Sequence, residues 1–293
     1  RPPRAWYHLE RKQEGRRPGT GAAGLAPRGR IPAQDPGKGE CRMTLASFFE
    51  ENPRAALAFS GGTDSALLLW AAVRWAKDAC AYYVKTPFQP AFELRDARRL
   101  ADQLGARLKV LDLDVLTVPE AAANGPQRCY YCKRAIFGAI LAAAQADGFS
   151  LVIDGTNASD DAGDRPGMRA LRELSVRSPL RECGLTKEDV RRLSREAGLF
   201  TWEKPAYACL ATRIPTGTAI TPGLLARAEH AEEALAALGF SDFRVRLMEG
   251  AARVQVTADQ FPLALACREQ LVNALKPENG AVLLDLEPRT PSR

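Results

Sequence analysis

An apolar run that ends at Phe59 passes through Ser60-Gly61-Gly62-Thr63-Asp64-Ser65 and resumes at once as Ala66-Leu67-Leu68-Leu69. No linker separates the two runs, so a strand has to turn directly into a helix. The first N–H groups of such a helix have no partner within it, and the helix dipole favours an anion beside them. Gly61 and Gly62 permit a tight turn and a close approach to a ligand. The hydroxyls of Ser60 and Ser65 can donate to phosphate oxygens. Asp64 is out of place beside a phosphate unless a divalent cation lies between them, so Mg2+ is expected there. The Gly-Lys-Ser/Thr ending of a Walker loop is missing, which makes this a phosphate cradle of another type.

From Met43 onward short apolar runs alternate with amphipathic segments, the pattern of an α/β fold with a parallel sheet. Strands are expected over 55–59, 80–85, 108–113 and 151–154, and helices over 64–77, 91–104, 134–146 and 186–197. The last of these opens with Thr186 and Asp189 at capping-box spacing. Beyond "KPAYACLATRIPTG" (204–217) the order becomes helix 222–238, strand "FRVRLMEG", strand "ARVQVTA", helix 259–275 and strand "AVLLDL". The two middle strands meet at Glu249-Gly250. The expected organisation is a large α/β domain over 43–217 and a small α+β domain over 218–293.

The chain has 41 Lys and Arg against 35 Asp and Glu, a net charge of +6. Ten of the basic and four of the acidic residues fall in 1–42, so that segment holds the whole excess and the remainder is neutral. A basic globule that seeks nucleic acid is therefore not indicated. The same segment has six prolines, seven glycines and no periodicity, and is expected to be disordered or a non-native extension, with Met43 as the start. No apolar stretch reaches the roughly 18 residues that a bilayer requires, and no signal peptide is visible. A cytoplasmic protein without membrane contact is expected. Seven cysteines, at 41, 80, 129, 132, 183, 209 and 267, are then thiols, metal ligands or reactive sulfur rather than disulfides.

"RCYYCK" places Cys129 and Cys132 just before the expected helix at 134, and "YACLATR" carries Cys209. Arg128, Lys133 and Arg213 adjoin these cysteines and favour thiolates, and all three thiols are expected in loops. Cys80, Cys183 and Cys267 read as packing residues, and His230 as a surface residue. Arg244 and Arg246 share one face of a strand and suit either a phosphate or solvent. The polar string 154–164 follows the end of a strand, where ligands bind in open α/β sheets, and an Asx-rich solvated loop explains it as well.

The Ser-Gly-Gly-x-Asp-Ser loop resembles the pyrophosphate loop of the PP-loop ATPases, which include NAD synthase, GMP synthetase, asparagine synthetase and the tRNA thiolases. That likeness implies a doubly wound parallel sheet of the adenine nucleotide alpha hydrolase-like type. It also implies cleavage of ATP between its α and β phosphates, with Ser60, Gly61, Gly62, Asp64 and Ser65 on ATP and pyrophosphate. Adding "RCYYCK", "DGTNASDDAGDRPGMRAL", "KPAYACLATRIPTG" and "FRVRLMEGAARVQV", the chain over 44–286 resembles the LarE family of ATP-dependent sulfur transferases. The resemblance implies that a carboxylate of pyridinium-3,5-biscarboxylic acid mononucleotide is adenylated and becomes a thiocarboxylate in nickel-pincer cofactor biosynthesis. Asp64 and Cys209 are its catalytic residues. Arg213, Arg244 and Arg246 hold the substrate phosphate, and a homo-oligomer is implied.

The sulfur comes either from Cys209, by sacrifice, or from sulfide on a [4Fe-4S] cluster held by Cys129, Cys132 and Cys209. Zinc on the same three thiols is a third option. The alternatives are a PP-loop tRNA thiolase, which requires a basic RNA face, and an NAD synthase-like amidating ligase, which leaves the cysteines without a role. A non-enzymatic nucleotide-binding module has no use for Cys209.

Overall fold

The computed structural model describes residues 43–160 and 166–290. The expected extension over 1–42 lies outside the described residues. So do 161–165, within the polar string, and the last three residues. Among the described residues, those from Met43 to Leu225 form one compact unit, and those from Ala226 to Thr290 form another.

The first unit runs α1 (Leu45–Glu51), β1 (Arg54–Ala58), α2 (Thr63–Trp75), β2 (Asp78–Lys85), α3 (Ala91–Leu104), β3 (Leu108–Asp112) and α4 (Pro119–Ala122). It continues with α5 (Arg128–Ala146), β4 (Val152–Ile153), α6 (Pro166–Glu173), α7 (Pro179–Glu182) and α8 (Lys187–Glu196). The four strands are parallel in the order β3-β2-β1-β4. Strand side chains alternate between two faces, and each face is covered. Leu57, Ala81 and Tyr83 point into a core with Phe48, Phe49, Leu67, Leu69, Leu100 and Leu193, while Ala56, Tyr82 and Val84 meet Ile140, Ala144 and Phe149 of α5 and its flank. The sheet is doubly wound, as expected.

α2 is buried on nearly every side, from Leu67 through Ala72, which explains why its apolar run has no polar stripe. α8 starts as its spacing predicts: Thr186 Oγ1 accepts from the Asp189 amide and Asp189 Oδ2 accepts from the Thr186 amide. α5 begins at Arg128, six residues before the expected start, so Cys129 and Cys132 stand in its first turns and not in a loop. Tertiary contacts explain the difference. Tyr130 is buried, its hydroxyl donates to Glu173 of α6 at 2.6 Å, and this packing overrides the modest helix preference of two adjacent tyrosines.

α9 (Pro222–Ala237) leads into the second unit, which holds β5 (Arg244–Met248), β6 (Ala251–Gln255), α10 (Phe261–Ala266), α11 (Arg268–Asn279) and β7 (Ala281–Leu284). β5 and β6 are antiparallel, β6 and β7 parallel, in the order β5-β6-β7. The single helix expected over 259–275 is two helices broken at Cys267. Its thiol donates to the Leu263 carbonyl, and its backbone leaves the helical region at φ −105°, ψ 26°. Each piece thereby turns its own apolar residues, Ala264 and then Leu271 and Leu275, into one core with Val245, Ala252 and Val254. Cys80 and Cys183 are buried, as expected of packing residues, and His230 is exposed.

Candidate active site

The order β3-β2-β1-β4 reverses the direction of winding between β1 and β4, and ligands of open α/β sheets sit at that point. The loop 59–62 leaves β1 there. Gly61 takes φ +72°, a conformation that costs an L side chain about 1–2 kcal/mol. A Cβ on it would also press on Ala97 of α3 at 3.3 Å. Gly62 caps α2 in extended conformation without a side-chain bond, so the first helical N–H groups stay available for an anion. Ser65 is buried. Its Oγ lies 3.1 Å from Ser60 Oγ, donates to Gly62 O and accepts from the Ser60 amide.

The segment after β4 closes the cradle from the other side. A Cβ at Gly155 would lie 2.8 Å from the Ser65 backbone nitrogen, so only glycine fits there. The polar string is largely an internal scaffold over its described part. Asp154 accepts from Thr156 Oγ1 at 2.5 Å and Ser178 Oγ at 2.6 Å, and Asp154, Thr156 and Asn157 are all buried. Asn157 Nδ2 donates to Asp64 Oδ1 at 3.0 Å. Lys187, the first residue of α8, places its ammonium 2.5 Å from Asp64 Oδ2, with both side chains about a quarter exposed. Asp64 thus pairs with a cationic side chain beside the glycine loop. Sequence reading missed Lys187, Asn157 and Gly155, although Lys187 follows the Thr186 cap directly.

The thiols come together from two distant stretches of chain. Cys129 is exposed, and Cys132 and Cys209 are half-buried. Burial first, then the charges of Cys209 and Cys129, push the Cys132 thiol up to about 12. Burial also raises Cys209, with Arg128 and Arg213 pulling it down and Cys129 raising it, so desolvation outweighs the basic neighbours expected to favour thiolates at both positions. Three thiols that repel one another as thiolates, beside an arginine, are suitable in kind for a metal cluster. Among the described residues, however, no three His, Cys, Asp or Glu side chains are grouped tightly enough to hold a metal ion.

Arg213 is almost fully buried. Its Nη1 donates to Ala208 O at 2.8 Å, Cys209 O at 3.3 Å and Thr212 Oγ1 at 2.8 Å, and its guanidinium stacks on Tyr207. Phe92 of α3 packs edge-on against Tyr207, and Lys204 pairs with Asp96 of α3 at 2.6 Å. α3 therefore touches the phosphate loop through Ala97 and the cysteine loop through Phe92. Glu93, between them, is pushed up to about 7, first by burial and then by Asp96, against the pull of Lys204 and Arg213.

In the second unit Arg244 and Arg246 share the sheet face opposite the core. Arg244 Nη1 donates to Phe243 O, and Arg246 Nε donates to Gln255 Oε1 at 3.1 Å. Register sets Arg253 of β6 directly across from Arg246, a third arginine on that face. No helix among the described residues is long and apolar enough to cross a membrane.

A doubly wound parallel sheet with a glycine cradle and a carboxylate–ammonium pair at its switch point defines an α/β protein of the PP-loop ATPase class. A tRNA-specific 2-thiouridylase of Frankia alni, of that class, is 30% identical over 189 residues, which cover 52% of this chain and 53% of that one. More extensive likeness joins the chain to pyridinium-3,5-bisthiocarboxylic acid mononucleotide synthase of Lactiplantibacillus plantarum, 34% identical over 217 residues (73% of this chain, 79% of that enzyme). An uncharacterized protein of Synechocystis is 37% identical over 218 residues, covering 74% and 81%. No protein-family model matches the chain. The chain belongs to the family of the L. plantarum synthase, the LarE family, and is an ATP-dependent sulfurtransferase.

Proposed function

We propose that the enzyme adenylates a carboxylate of pyridinium-3,5-biscarboxylic acid mononucleotide and converts it to the thiocarboxylate. The observation that carries this reading is that one compact unit holds both the glycine loop and three cysteines, with α3 packed against that loop at Ala97 and against Tyr207, two residues from Cys209, through Phe92. The kinship with the L. plantarum synthase supports the choice of substrate.

In this reading Ser60, Gly61, Gly62 and Ser65 hold the pyrophosphate of ATP. Asp64 would hold Mg2+, which would supply neutralisation of the phosphate charge. Lys187 releases Asp64 and turns its ammonium to the phosphates. The substrate carboxylate attacks the α-phosphorus, pyrophosphate leaves, and the acyl-adenylate forms. A carboxylate is a poor electrophile, whereas AMP is a good leaving group, so the acyl carbon is now open to sulfur.

The Cys209 thiol then attacks that carbon, AMP leaves, and the thiol proton passes to the departing AMP phosphate. Loss of its Cα proton breaks its Cβ–S bond, which leaves dehydroalanine in the chain and the sulfur on the product. A second reading gives Cys129 and Cys132 a part as well. Cys129, Cys132 and Cys209, if drawn closer together than in this structure, would be the ligands of a [4Fe-4S] cluster, which would supply sulfide in place of the cysteine sulfur. We assign the substrate phosphate to Arg244 and Arg246; Arg213, expected with them from the sequence, is buried and bonded within its own loop, so we assign it instead to holding the loop that presents Cys209. We also place the enzyme in the cytoplasm as a homo-oligomer that acts on a small nucleotide.

The test is turnover of anaerobically purified protein with ATP and the biscarboxylate mononucleotide. Pyrophosphate and a thiocarboxylate should form together. Cys209→Ala should keep pyrophosphate release and lose the thiocarboxylate, and a Cys209→Ala variant that still makes it would overturn the proposal. Mass spectrometry and iron analysis separate the two sulfur sources. Sacrifice leaves Cys209 short by one hydrogen sulfide, whereas the cluster leaves it intact in a protein that holds iron and sulfide.

A further inference from the structure

Cys209 and the Cys-x-x-Cys pair lie some eighty positions apart, and a specific set of bonds joins their segments. Asn124 is completely buried and takes φ +56°, a region that asparagine enters more readily than most residues. Its Nδ2 donates to Pro215 O at 2.8 Å, Thr218 O at 3.0 Å and Ile214 O at 3.4 Å. Its own carbonyl accepts from the Gly217 amide, and Ala122 O accepts from the Ile220 amide. Asn124 Oδ1 accepts from Arg128 Nη1 at 2.6 Å. The same Nη1 donates to Ala211 O at 3.0 Å, and Arg128 Nη2 lies 3.7 Å from Cys129 Sγ.

We propose that Asn124 and Arg128 are positioning residues that fasten the segment 209–218 to the start of α5 and so hold Cys209 beside Cys129 and Cys132. Asn124 grips the segment beyond Cys209 through three carbonyls, and Arg128 grips it at Ala211, two residues from the thiol. One guanidinium therefore touches both parts of the thiol cluster. An amide is suited to this place: it donates to several carbonyls and accepts from the arginine at once. Buried bonds of this kind are costly to remove, because the carbonyls left behind have no water to turn to. The inference rests on the proposed use of Cys209 in sulfur transfer, although the bracket itself needs neither ATP nor substrate.

Disulfide trapping with diamide in a Cys129→Ser background tests it. Peptide mapping should find Cys132 joined to Cys209 in the otherwise unchanged protein. Asn124→Ala and Arg128→Ala should lower the yield at least about fivefold. Asn124→Gly keeps the positive φ without strain but removes the side-chain bonds, and it should fall as far as Asn124→Ala. Arg128→Lys should give an intermediate yield, since a lysine cannot span Asn124 Oδ1 and Ala211 O as a fork does.

Should Asn124→Ala fail to fold, Asn124→Asp decides. It keeps the acceptor for Arg128, loses the donors, and should trap poorly while still binding ATP. In turnover the KM for ATP should hold while thiocarboxylate formation drops. Trapping at the unchanged yield in the Asn124 variants overturns the proposal. If trapping responds as expected but the natural sequence forms no thiocarboxylate, the bracket stands and the proposed reaction falls.

Discussion

The phosphate cradle and the thiol cluster, both in the first unit, are built on opposite principles. The cradle is a backbone device. The groups it offers an anion are N–H donors at the start of α2, and its shape depends on what is missing at Gly61 and Gly155. The cluster is a side-chain device, in which an asparagine and two arginines gather a loop by its carbonyls and bring one thiol to two others. The cradle should therefore be sensitive to atoms added, and the cluster to bonds removed.

Gly155→Ala is the strongest way to break the comparison. Its methyl group meets the Ser65 backbone at 2.8 Å, and the cost should be about 3 kcal/mol with loss of ATP binding. A melting curve and a nucleotide-binding titration check both. If the variant binds ATP as before, the cradle is not rigid.

Glu93 links the two devices through α3 and gives the next largest effect. Its carboxyl, raised from 4.5 to about 7, holds its proton more tightly in the folded chain than in the unfolded one. The resulting stabilisation is complete below pH 4.5 and is lost as pH rises through 7, in all roughly 2–3 kcal/mol. Glu93→Gln should remove that slope from denaturant stability measured between pH 4.5 and 7.5, while other groups leave theirs in both proteins. Equal slopes would sink the assignment.

Lys187→Met should raise the KM for ATP about tenfold, or about 1.4 kcal/mol, with little change in melting temperature. A large loss of stability without a change in KM would make Lys187 a structural partner of Asp64 only. The smallest effect belongs to Thr186→Ala. Loss of the capping box should cost about 1 kcal/mol, read from the melting curve, and leave Cys132–Cys209 trapping unchanged. A change in trapping would show that the two devices are coupled through α8 and do not act separately.

The β1–α2 turn of the cradle was legible in the sequence because its parts are neighbours in the chain, whereas Gly155 and Asn157, which close it from the other side, are not. Ser60 through Ser65 form one strand–helix junction, and the periodicities on both sides fix where it begins and ends. The thiol cluster was legible only as a list. Cys129, Cys132 and Cys209 stand out by residue type and by family resemblance, but nothing local shows that Arg128 and Asn124 bind the second segment to the first. The start of α5 was misplaced for the same reason: the contact of Tyr130 with Glu173 that stabilises its first turns is not a local property. Lys187 was within reach, since a capped helix start shortly after a polar string is a known setting for phosphate groups, yet its pairing with Asp64 spans 123 positions.

The loop "SGGTDS" and the strand–helix alternation around it therefore point, by themselves, to a parallel sheet with a glycine turn suited to phosphate at the end of β1. Short-range sterics and periodic burial are enough, because the conformation of this glycine turn and the start of α2 depend on residues a few positions apart. Tertiary structure alone decides what that phosphate chemistry faces. α3 lies between cradle and cysteine loop, Asp64 meets a lysine from α8, and a buried asparagine brings Cys209 to the helix of Cys129 and Cys132. Those contacts join residues tens of positions apart, and only the closing of the whole core brings their polar groups within bonding distance.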